Sequence, residues 1–183
     1  METDPSFNNY LQEKPLIKFS LYTSLQIDTI VEFGKKITDQ FDSTISLPNR
    51  VDMSSGDIYG QVWLWVIGTF EIIRTMAEPK WKNSWNEDTY SRINDYKIKL
   101  SGLRVPFTKQ ELRGKPDAVQ QECSIYSIDF ENKSYIYMAD GVTYNIRTMI
   151  NEFNELIKSI TTEDIHHDLR ENHKRDQNRI SNS

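Results

Sequence analysis

A chain of 183 residues, 37% of them hydrophobic, with net charge −5 and one cysteine, fits a single ordinary domain. The acidic balance argues against a general nucleic-acid-binding surface, which needs a basic excess to displace counterions, and leaves room only for a local basic patch. Cys123 has no second cysteine to pair with, and the start, with Glu2 and Asp4, lacks the basic-then-apolar order of a secretory leader. Together these features point to a cytoplasmic protein.

Residues 1–14 are polar and read as a flexible N-terminal segment. A single globular domain is expected over 15–162, and a polar, disordered tail over 163–183. From Leu16 to Tyr22, apolar Ile17, Phe19 and Leu21 alternate with Lys18, Ser20 and Tyr22, which fits either a short strand or the approach to a helix. Ile27, Ile30, Val31, Gly34, Ile37 and Phe41 then recur at three- and four-residue steps, which predicts a one-sided helix over 26–41. Ser46, Pro48 and Asn49 end it in a loop.

Ser54 or Ser55 is suited to cap the next helix, with Asp57 in its first turn, and Pro79 stops it. The expected span is 56–78. Tyr59, Val62, Trp63, Val66, Phe70, Ile73 and Ala77 form one apolar stripe, and Ile58, Trp65 and Ile72 a second, so this is the central helix. Gly60 and Gly68 face one way and invite close approach of a partner helix. Gln61, Glu71 and Arg74 within the same stretch argue for a buried core helix over a membrane span.

Asn86, Glu87 and Asp88 open a third helix, 87–103, carrying Tyr90, Ile93, Leu100 and Leu103 and ended by Pro106. Gly114 and Pro116 make 104–118 a loop, with room for one turn of helix after Thr108. The period then falls to two: Tyr126, Ile128 and Phe130 alternate with polar neighbours, and Tyr135 to Ala139 alternates again, which predicts a hairpin over 124–139. Asp140 and Gly141 form a tight turn, and Thr143 or Asn145 caps a last helix, 145–160, with the stripe Ile146, Met149, Ile150, Phe153, Ile157 and Ile160. The fold class is therefore mostly α (α+β): a bundle of about four helices with one β-hairpin inserted before the last.

Chemistry-bearing patterns are sparse. His166, His167 and His173 sit in the polar stretch, and no two are four apart as ligands on one helical face would be. Cys123 has no histidine near it in sequence to act as a base. Glu71 and Arg74, three apart, are expected to pair. No glycine-rich loop ends in Lys-Ser or Lys-Thr, which disfavours phosphate-loop and dinucleotide folds. No catalytic residue, metal site or cofactor is expected.

The one local basic excess is the 104–115 loop, where Arg104, Lys109, Arg113 and Lys115 flank Phe107 and are the candidate nucleic-acid contacts. Trp81 and Trp85 are the candidate partner anchors, because Trp is favoured at interface centres. The order of helices, late hairpin and final helix resembles small bacterial helical proteins of the HEPN type. Many of those are RNases of toxin–antitoxin or defence systems, whose activity rests on an arginine followed four to six residues later by a histidine. Here Arg170 and His173 are three apart. The reading favoured by the sequence is a non-enzymatic binding or regulatory protein with a protein partner or a second copy of itself and no membrane association. A nucleic-acid-binding or RNase-like role for 104–115 is the disfavoured alternative.

Overall fold

A computed structural model describes residues 10–46, 50–51, 58–109 and 125–166. The expected cap at Ser54 or Ser55, Cys123, and His167 and His173 lie outside these residues.

The stretch 16–22 is not a strand. A 3-10 turn, Pro15–Ile17, leads to Ser20, whose hydroxyl accepts from the Thr23 amide and caps helix α1, Leu21–Thr44. A two-residue antiparallel ladder of β1, Ile45–Ser46, and β2, Arg50–Val51, follows. The central helix α2 runs Ile58–Met76. A 3-10 segment, Pro79–Ser84, carries the chain to α3, Glu87–Lys109. Asn86 caps α3 by accepting from the Thr89 amide at 2.8 Å.

Helix α3 is longer than expected, because Pro106 lies inside it and does not end it. An interior proline costs about 3 kcal/mol through its missing amide hydrogen. Burial of Phe107, and a 2.9 Å bond from the Trp63 indole to the Phe107 carbonyl, hold the last turn and offset that cost.

The hairpin is present but grows to three strands. β3, Ile125–Asp129, pairs with β4, Ser134–Ala139, and β4 pairs with β5, Val142–Asn145, all antiparallel. Asp140 and Gly141 form the β4–β5 turn with positive φ at both positions, 50° and 76°, as a two-residue hairpin turn requires. β5 was hidden because four residues between a turn and a helix cap are too few to show a period. Asn145 ends β5 and caps α4, Ile146–Lys158, by accepting from the Thr148 amide.

The core lies between the helices and the inner sheet face. Trp65, Val66 and Ile73 of α2, Ile37 and Phe41 of α1, Leu100 of α3 and Phe153 of α4 are all fully buried, with Tyr135 and Tyr137 of β4. Trp65 meets Phe153 edge to face at 6.2 Å, and Phe41 meets Tyr135 at 5.2 Å. Val66, Phe70, Ile73, Ile150 and Phe153 are core as expected. Trp63 and Ile157 are only partly buried. The Arg147 guanidinium ties the β3–β4 turn to the end of α1, donating to the carbonyls of Lys133 and Thr38 and to Asp42.

The segment after α4 turns back on the domain. Ile165, one of the few apolar residues of the expected tail, is fully buried and bridges to Trp85. Asp164 takes the side-chain amide of Asn86 and both the amide and hydroxyl of Thr161, and the His166 amide donates to Ser84. Residues 164–166 therefore belong to the packed body. Residues 167–183 lie outside the description.

Candidate partner-binding surface

Among the sequence candidates, Arg104 sits on α3 and not in a loop. Its guanidinium lies 4.9 Å from the Phe70 ring centre and 3.4 Å from a Glu71 carboxylate oxygen. The second Glu71 oxygen accepts from Arg74 at 2.8 Å, so the expected pair is present, but on the surface and shared by two arginines. Lys109 is the exposed last residue of α3. Five positions separate it from Arg104, which turns the two about 140° apart around the helix. Arg113 and Lys115 lie outside the described residues. The two described cations, Arg104 and Lys109, are thus not brought to one side of the helix.

The two tryptophan candidates also separate. Trp85 is 2% exposed, stacks on Phe19 at 4.5 Å and donates its indole hydrogen to the Met76 carbonyl. It has no face to offer a partner. Trp81 is half-buried, edge-on to Phe19 at 5.7 Å, with the Lys80 ammonium 5.3 Å from its ring.

A different surface stands out at the first two turns of α1. Leu21, Tyr22 and Leu25 are 48%, 79% and 54% exposed, while Ile27, Gly34, Ile37 and Phe41 of the same helix turn inward. At 100° per residue, Leu21, Leu25 and Tyr22 span a ridge about 100° wide pointing away from the core. Exposed apolar residues elsewhere, such as Ile98, Tyr126 and Val142, belong to separate elements.

The ridge is flanked by two concavities. On one side, a cleft of about 430 Å³ has a floor of Leu16, Ile27, Ile157 and Ile160 and a charged rim. Lys14 on that rim donates to both oxygens of Asp28, at 2.8 and 2.7 Å. On the other side, a groove of about 380 Å³ between α1 and α2 is lined by Gln26, Thr29, Ile30, Gly68 and the Glu71–Arg74 pair. Gly68 makes this groove: a Cβ there would stand 2.7 Å from the end of Ile30. Leu64, 52% exposed, lies one turn before Gly68 on the same face of α2. A ridge between two grooves is the shape into which a second helix packs.

The sequence concealed this surface because Leu21 appeared to belong to an inward alternating run. Once Ser20 is seen as the cap, Leu21, Tyr22 and Leu25 fall opposite the Ile27–Phe41 stripe, and that phase was the available signal.

Among the described residues no helix is long and apolar enough to cross a membrane, and no three His, Cys, Asp or Glu side chains gather as metal ligands. No protein-family model, curated protein or solved structure matches the chain.

Proposed function

We propose that this is a non-enzymatic binding or regulatory protein of the cytosol, acting through a protein partner that docks on the outer face of α1. The observation that carries the reading is the Leu21–Tyr22–Leu25 ridge with a concavity on each side. Clustered exposed apolar side chains of this kind mark interaction sites, whereas single ones do not. Tyr22 in particular offers a large amphipathic ring, the residue type favoured at interface centres. The alternative role for 104–115 draws no support from Arg104, whose cation is already engaged by Glu71 and Phe70.

Site-specific photo-cross-linking tests the reading. A photoreactive phenylalanine analogue in place of Tyr22 should give a discrete adduct with one protein in the native cell extract. The same analogue in place of Ile98, an exposed apolar residue on α3, should give none. Equal adducts from both positions would refute a partner surface on α1.

A further inference from the structure

The charge around the ridge specifies the partner further, on the premise that α1 is the docking face. The flanking cleft carries three carboxylates, Glu13, Asp28 and Glu163, and two ammonium groups, Lys14 and Lys158. Both cations have intramolecular partners: Lys14 is held by Asp28, and Lys158 lies 3.6 Å from Glu155. Glu13 and Glu163 therefore leave the rim net negative. Hydrogen bonding, first from its own backbone amide, holds the Glu163 carboxyl below the usual range.

One further feature adds negative potential. The last turn of α4, through Ile157 and Lys158, opens on this cleft and brings the negative end of a helix dipole with it. Glu32 also projects on this outward face, one turn beyond Asp28, but Lys36 follows it a turn later on the same face and offsets its charge. Lys18, in the turn before α1, is bound to the Thr162 carbonyl at 2.9 Å.

We propose that the partner presents a basic amphipathic helix, its apolar face on Leu21, Tyr22 and Leu25 and a lysine or arginine reaching into the cleft rimmed by Glu13, Asp28 and Glu163. The aliphatic floor of Leu16, Ile27 and Ile160 receives the methylene stem of that side chain, and the rim receives its charge. The groove between α1 and α2 takes a ridge of the same helix, with Gly68 keeping it open. Electrostatic complementarity sets the sign of the partner and the speed of encounter, and the apolar ridge sets the residence time.

Two dansyl-labelled synthetic helices of about five turns, identical in their leucine face, one with lysine and one with glutamate on the polar face, provide the test. Each is titrated into the full chain and followed by fluorescence anisotropy, with light scattering of the chain alone alongside. The lysine helix should bind saturably one to one, and the glutamate helix at least about tenfold more weakly. Glu13→Gln combined with Glu163→Gln should weaken the lysine helix about tenfold, as should Leu25→Ser. Equal binding of the two helices, still lost in Leu25→Ser, overturns the basic partner while the α1 docking face stands. Binding unaffected by Leu25→Ser overturns both. A chain that dimerises by itself, and becomes monomeric on Leu25→Ser, assigns the face to a second copy and overturns the basic helix.

Discussion

Ile165→Ala separates the structure from the sequence expectation most sharply. A polar tail starting at 163 would make the substitution silent, because an exposed isoleucine contributes almost nothing. In the folded chain Ile165 is fully buried, bridges to Trp85 and lies between the Asp164 and His166 contacts to Asn86 and Ser84. Trp85 is anchored in turn by Phe19 and the Met76 carbonyl, so the cavity left by truncation has rigid walls on that side. Large-to-small changes at buried isoleucines cost about 2–5 kcal/mol, the upper values where the walls cannot relax. A segment beyond the last helix relaxes more easily than a helix interior, which places this site at about 2–3 kcal/mol. For a chain of this size each kcal/mol shifts the melting temperature by about 2–4 °C, so a fall of about 4–12 °C is expected. Urea denaturation with a shared slope would give the same free energy. A change below about 0.5 kcal/mol, the scale of ordinary surface substitutions, would refute the docked segment.

Phe153→Ala removes the ring between Trp65 and Tyr96 and should cost about 3–5 kcal/mol by the same assay. Gly102→Ala places a Cβ 2.0 Å from the Tyr144 hydroxyl and should cost about 1–3 kcal/mol. Adding Tyr144→Phe, which removes that oxygen, should recover part of the loss, and strictly additive costs would show that the two do not meet. At low pH, Asp129 and Asp164 matter. Hydrogen bonds from Asn132 and Asn145 lower the first, and those from Thr161, Asn86 and Thr89 lower the second against the opposing effect of burial. Depressed carboxyl values mean stability present above the unfolded value of about 4 and lost as pH falls through the folded values. Asp164→Asn should therefore flatten the acid limb of a stability–pH curve, and an unchanged limb would exclude Asp164 as a contributor. At high pH, burial and then the nearby Glu152 push the Tyr96 phenol well above its ordinary value. The folded chain keeps that proton where the unfolded chain releases it, so stability should fall as pH rises past about 10. Tyr96→Phe should remove that part of the fall.

The helices were legible wherever one face is apolar and the other is not. The stripe from Ile146 to Phe153 locates the last helix within two residues of its expected ends, while the stripe from Ile27 to Phe41 locates α1 but misses its start by five residues, where Ser20 caps it. Boundaries failed where tertiary contacts outweigh local preference. Pro106 reads as a stop, yet the bond between Trp63 and the Phe107 carbonyl extends α3 past it. Strand β5 and the docking of Ile165 were invisible for a related reason. Their signal is pairing with β4 and with Trp85, residues distant along the chain, and not a local period. For the candidate surface, the sequence pointed to aromatic anchors by type alone. Burial then removed Trp85 from that role and brought forward Leu21, Tyr22 and Leu25, whose significance depends on the phase set by the Ser20 cap.

The central claim is that the outer face of α1 binds a protein partner without supporting the fold. Leu21 and Leu25 are about half exposed and Tyr22 more so, so replacing all three with serine should cost up to about 1.5 kcal/mol and lower the melting temperature by up to about 3–6 °C, leaving the chain folded. The measurement is the affinity of that variant for the protein cross-linked through position 22, determined by calorimetric titration beside the parent chain. Loss of binding by about a hundredfold or more in a variant that still unfolds cooperatively is the expected result, because truncated interface anchors cost about 2 kcal/mol or more each. Binding equal to that of the parent would contradict the claim.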